Sequence, residues 1–156
     1  MDLVVTLMAN LQFEQIAKSM DRLELEASSL NALDDWPHAL HLLGHIHNKQ
    51  LEDARFLWMR IPVAKKQDNP ELQAVWALLQ LLWNRKHKEI WPILQGHPWR
   101  AELQPLIEAL SSRCRLDTQE LVSAAYSSIS PAAVGEMLGM AEQEALECEL
   151  HAEEQW

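Results

Sequence analysis

The chain has 156 residues, 48% apolar and 23% charged, which is enough for one domain with its own core and too apolar for a disordered segment. Four glycines leave little room for phosphate-cradling loops, and two cysteines, Cys114 and Cys148, make no disulfide framework. The net charge is −10, with every Lys and Arg at or before Arg115 and nine acids after it, so the C-terminal part repels nucleic acid and anionic membranes.

The pattern predicts helix after helix. The first opens at Leu11-Gln12-Phe13 and runs to about Glu26, with Phe13, Ile16, Ala17, Met20 and Leu23 at helical spacing. Residues 27–34 read as a break. Asp35 is then placed to cap a helix with Pro37 in its first turn, ending near Asn48. The next carries Leu51, Ala54, Leu57, Trp58 and Ile61 and stops at Pro62. Residues 63–68 read as a linker. Asn69-Pro70-Glu71 is a cap followed by proline at the first helical position, and Leu72, Val75, Trp76, Leu79, Leu82 and Trp83 line one face of the helix it starts.

A basic turn (Arg85, Lys86, Lys88) leads to a short helix with Ile90, Trp91 and Leu94, which tolerates Pro92 only in its first turn and ends at Gly96. Pro98 is expected to open a further helix and Pro105 to kink or divide it. Leu57-Trp58-x-x-Ile61 returns thirty-three residues on as Ile90-Trp91-x-x-Leu94, a period that suits stacked helix–turn–helix units of tetratricopeptide type. Asp117-x-x-Glu120 reads as a capping box opening a new helix. Ser127-Ser128-Ile129 reads as a short extended stretch. Ser130-Pro131 starts another helix, closed by Leu138-Gly139-Met140, and a last acidic helix begins at Ala141 with Ala145, Cys148, Ala152 and Trp156 on one stripe. Helix, short strand, helix, turn, helix is the order of a winged-helix domain without its wing strands.

Few residues point to chemistry. Trp58, Trp76, Trp83 and Trp91 fall on apolar helix faces, where an indole fills gaps between helices better than it forms a ligand cage. His38, His41 and His45 fall within a ~60° arc, a stripe that could hold a transition metal but lies opposite the apolar face and is expected to be solvated or partner-facing. His45-Ile46-His47 resembles part of the zinc site of metal-dependent isopeptidases, yet the serine and aspartate that should follow are Arg55 and Trp58. Cys114 lies between Arg113 and Arg115, which would lower its pKa, with no histidine beside it in sequence to pair with. The helix that would read a DNA groove carries Glu142, Glu144, Glu147, Glu149, Glu153 and Glu154 and no base, against DNA binding. No basic leader precedes a long apolar run, and no window reaches the ~18 apolar residues of a membrane span. A reducing interior compartment is the expectation.

Asp34-Asp35-Trp36-Pro37 with His41-Leu42-Leu43-Gly44, and above all Ala54-Arg55-Phe56-Leu57-Trp58-Met59-Arg60-Ile61-Pro62, resemble the subunit-eight family of the COP-9 signalosome, more so its plant form. Trp76, Trp83, Gln104-Pro105, Glu108-Ala109-Leu110 and Ala125-Tyr126-Ser127-Ser128-Ile129 extend the resemblance over nearly the whole chain. It implies a PCI-type, mostly all-α architecture: a helical-repeat, tetratricopeptide-like array over residues 1–115 followed by an incomplete winged-helix over 116–156. It also implies a non-catalytic scaffold subunit, in nucleus and cytoplasm, of the complex that deneddylates cullin-RING ubiquitin ligases. The zinc site of that complex belongs to another subunit, so no cofactor, metal, nucleic acid or membrane is expected here. The expected partners are other PCI-domain subunits of the signalosome, whose winged helices meet edge to edge. A PCI subunit of the proteasome lid and a His-cluster metal-binding protein are the alternatives. Family members continue through wing strands and a further helix, which the sequence ending at Trp156 does not contain, so an exposed, sticky edge beside residues 127–130 is the expectation. Ser127, Ser128, Ile129, Ser130, Met137, Met140, Leu146 and Leu150 are the interaction candidates.

Overall fold

The structure, a computed structural model, describes residues 2–27 and 35–153, and side chains over 3–27 and 35–147. Its helices are α1 (Asp2–Ala9), α2 (Ile16–Glu26, entered through a 3-10 turn at Phe13–Gln15), α3 (His38–His47), α4 (Leu51–Arg60) and α5 (Val63–Asp68). They continue as α6 (Pro70–Trp83), α7 (Ile90–Gly96), α8 (Gln104–Ala125), α9 (Pro131–Leu138) and α10 (Glu142–Glu153). The described residues contain no strand, so the fold is all-α.

Helix α3 is the hub. It packs against α2, α4, α6 and α8, and so is buried on almost every side: Ala39, His41, Leu42, Leu43, Gly44, His45, Ile46 and His47 are all inside. Burying a side chain such as Leu42 or Leu43 contributes ~1.5–3 kcal/mol. Gly44 allows α2 to come close, since a Cβ there would lie 3.2 Å from the Ala17 nitrogen and from Ile16 Cγ2. Around this hub, Leu57, Ile61, Leu72, Val75, Leu78, Leu79, Ile90, Trp91, Leu94, Leu106 and Ile107 close one continuous core reaching from Val4 to Leu110.

Several elements differ from their sequence reading. Residues 2–9, unassigned in sequence, form α1 and bury Val4 and Leu7. The residue flanking α3 is Pro37 itself, and Asp35 makes no cap there. The 63–68 linker is helix α5, a single turn and a half ending where Asn69 caps α6; the Asn69 side chain accepts from the Leu72 N–H at 3.1 Å. Pro98 opens no helix, and Pro105 lies in the first turn of α8, where it removes no helical hydrogen bond and causes no kink. Helix α8 then runs unbroken through Asp117 and Glu120, so the expected capping box opens nothing. Residues 28–34 of the expected break lie outside the described residues, as do the side chains of Cys148, Ala152 and Trp156.

Candidate interaction surface and the buried histidine cluster

The last turns of α8, with α9 and α10, enclose a second, smaller core of Val122, Val134, Leu138 and Ala145. Ser130 caps α9, its hydroxyl accepting from the Ala133 N–H at 3.3 Å. Gly139 ends that helix at φ +64°, the left-handed region glycine adopts without strain. This end docks on the larger core through main-chain carbonyls. The Trp91 indole N–H donates to Met137 O at 2.9 Å, the Gln95 amide to Gly139 O at 2.9 Å and Arg115 Nε to Leu138 O at 3.0 Å. The Arg115 guanidinium also lies 5.0 Å from the centre of the Trp91 ring. A Cβ at residue 139 would stand 2.2 Å from Trp91 Cδ2, so only glycine fits against the indole.

The residues expected to meet partners divide here. Ser127, Ser128 and Leu146 are exposed. Ile129, Met137 and Met140 are half-buried, packed on the small core, and Ser130 is engaged as a helix cap. The Leu150 side chain lies outside the described set. Sequence reasoning passed over Leu116, Leu121 and Tyr126 as surface groups, yet each leaves a large part of its apolar side chain in solvent. The signal was available for two of them: Leu121 and Tyr126 stand beside Ala124 and Ala125 near the end of the helix, a run too apolar for one small core to absorb. Residues 126–130 pair with no neighbouring strand among the described residues.

The histidine stripe is not solvated. His41 and His45 are buried, and both face Asp21 of α2: His41 Nε2 lies 2.6 Å and His45 Nε2 3.1 Å from Asp21 Oδ1. The stripe was expected outside because one face of α3 is richer in leucine, but the packing of α2 over the other face buries that one too. One ligand atom from each of Asp21, His41 and His45 lies within 4.8 Å of the others, a spacing a divalent ion tolerates. The hydrogen bonds favour a different use. The indole N–H of Trp36, which can only donate, points at His41 Nδ1 at 3.1 Å. His41 therefore accepts at Nδ1 and donates its Nε2–H to Asp21 Oδ1 as a hydrogen bond, leaving no lone pair for a metal. Burial, only partly offset by Asp21, lowers the His41 pKa, in keeping with this neutral tautomer. The arrangement is a part-buried hydrogen-bonded clamp between α2 and α3.

The remaining candidates are structural. Cys114 is half-buried, and burial, reinforced by the Asp117 carboxylate, raises its pKa to about 11; the flanking arginines do not activate it. Trp58 and Trp76 stack 4.6 Å apart with their planes 4° from parallel, and Trp91 is buried, as their spacing predicted. Trp83 is the exception, 44% exposed at the end of α6. His47 is buried with its ring edge-on to Phe13, so the H-x-H pair faces no common ligand position.

Comparison with known proteins bears on these surfaces. The sequence model of the CSN8/PSMD8/EIF3K family matches residues 32–156. The chain is 36% identical over 135 residues to COP9 signalosome complex subunit 8 of Arabidopsis thaliana, covering 85% of this chain and 68% of that one. It is 34% identical over 143 residues to the protein of the same name in Danio rerio, covering 92% and 74%. The corresponding Xenopus laevis protein is 31% identical over 137 residues, covering 88% and 70%.

Proposed function

The chain belongs to the CSN8/PSMD8/EIF3K family, and from that membership we propose that it is a non-catalytic scaffold subunit of the COP9 signalosome, the complex that deneddylates cullin-RING ubiquitin ligases. The observation that carries this is identity of 36% along 85% of the chain to a protein of that name. Relatives from a plant, a fish and a frog share the name, which favours the signalosome over the proteasome lid. The chemistry of the side chains agrees: His41 and His45 are held in hydrogen bonds to Asp21, and burial raises the pKa of the half-buried Cys114 thiol.

Its partners are then other signalosome subunits, met through their PCI domains. The α8–α10 end, a winged-helix-type unit over 116–156, is the docking surface, and 1–115 the helical-repeat array beneath it. Leu121, Tyr126 and Leu146, with Ser127 and Ser128, supply apolar area and free main-chain groups suited to edge contact. Nucleic acid is not a partner in this reading, because α10 is acidic along its length. Among the described residues no helix is long and apolar enough to cross a membrane. Nucleus and cytoplasm are the proposed location, an expectation carried by the resemblance alone.

Co-expression of the chain with the remaining signalosome subunits, followed by size exclusion, tests the reading. Co-elution at stoichiometric level is expected, and affinity purification from separated nuclear and cytoplasmic fractions should recover the same subunits from both. Elution of the chain by itself in every case sinks the proposal.

A further inference from the structure

Helix α4 buries Ala54 and Leu57 and turns Phe56 and Met59 outward, 56% and 64% exposed, at the centre of the face a surface helix ordinarily reserves for charge. Arg55 is one helical turn from Met59 and so lies beside it on the same face. Its guanidinium stands 5.6 Å from the centre of the exposed Trp83 ring of α6. Between the two helices is a cleft of about 280 Å³ bounded by Arg55, Trp76, Leu79, Gln80, Trp83 and Asn84.

The charges at this cleft are unmatched. In a chain of net charge −10, neither Arg55 nor Arg85, next to Asn84, makes an ion pair among the described residues. Glu52 and Asp53 of α4 lie beyond ion-pair distance of Arg55. A guanidinium resting near an indole keeps its N–H edges free for a second group, and those edges match a carboxylate in bidentate fashion. Beside it the cleft offers apolar surface from the half-buried Trp76 and the exposed Trp83.

We propose that this face of α4 and its cleft against α6 dock an acidic amphipathic segment of a partner protein, one carboxylate on Arg55 and an adjacent aliphatic side chain in the cleft. The surface is at the array, remote in sequence from the α8–α10 end, and the proposal does not rest on the scaffold reading.

The test titrates the full chain against a fluorescein-labelled helical peptide of about fifteen residues, long enough to hold a helix, with Leu and Glu at helical spacing. Saturable anisotropy is expected. The same peptide with Gln for Glu should bind about tenfold more weakly, the loss of one charge-assisted contact. Arg55→Gln should lose a similar factor with the acidic peptide and none with the Gln peptide, and Trp83→Ala should weaken both, with the helical circular dichroism of the chain unchanged. No saturable binding, equal affinity for the two peptides, indifference to Arg55→Gln, or preference for single-stranded DNA would each overturn the proposal. Arg55→Gln should leave co-elution with signalosome subunits through α8–α10 intact, so the two readings fail separately.

Discussion

His38 stands at the start of α3, half-buried, with both ring nitrogens shielded from solvent and lacking a hydrogen-bond partner. Burial first, then the positive charge of Lys65, lowers its pKa to about 4. A histidine whose pKa is depressed in the fold takes up protons more readily when unfolded, so folding stability is full above about 6.5 and drains away as pH falls toward 4. Burial pushes His41 and His47 in the same direction. Urea melts at pH 7 and pH 5 should therefore show lower stability at the acid value. His38→Leu, which removes both orphan nitrogens and the titration, should gain about 1 kcal/mol at pH 7 and flatten the slope. None of this was legible in the residues around His38: a histidine on the less apolar arc of a helix reads as solvated until the helix covering that arc is known. Asp21, 20 residues before His41 and 24 before His45, gives no sign in sequence that it will bridge them.

Three helices end alike, with an Asn at the C-cap and a left-handed residue after it: Asn10-Leu11, Asn48-Lys49 and Asn84-Arg85, with φ of 58°, 60° and 56°. In each, a later N–H bonds back to the last turn, as Gln12 N to Leu7 O at 2.8 Å, Gln50 N to His45 O at 2.9 Å and Lys86 N to Leu81 O at 2.9 Å. A side chain in this conformation costs ~1 kcal/mol or more, which glycine avoids. Leu11 is largely exposed, so Leu11→Gly should stabilise the fold by about 1 kcal/mol, read as a raised urea midpoint with unchanged slope. A helix that stops without glycine or proline leaves a weak sequence signal. The opposite error occurred at α8, where Pro105 and the Asp117-x-x-Glu120 pattern looked like boundaries. Tertiary packing overrode that local pattern: Thr118 is buried within the continuous helix, and Lys49, in the turn between α3 and α4, pairs with Asp117 at 2.8 Å.

The whole molecule is two cores of unequal size that share α8, the first turns packing with the large core and the last with the small one. At their junction the main chain of Gly139 comes so close to the Trp91 indole that a Cβ there would overlap the ring. Gly139→Ala should cost at least ~2 kcal/mol, because the new methyl meets both an unfavourable φ and the ring. The loss should be local: faster hydrogen exchange over α9 and α10, with the helices of the large core still protected. Persistence of native exchange throughout would show that the indole yields and the junction is not fixed there.

Sequence by itself determined the helical class, most of the helices between 16 and 153, the cap at Asn69, the helix start at Ser130-Pro131, and part of the apolar positions of the large core. These follow from periodicity and cap chemistry, which act over a few residues and are written in neighbouring letters. The charge segregation and the blank in catalytic motifs were equally local facts. Tertiary structure alone decided which faces of α3 are buried, that Trp83, Phe56 and Met59 stay outside, that α8 runs through two apparent boundaries, and that Gly139 must be glycine for Trp91 as well as for its φ. Those outcomes depend on which helix lies over which, and that is set by contacts between residues tens of positions apart.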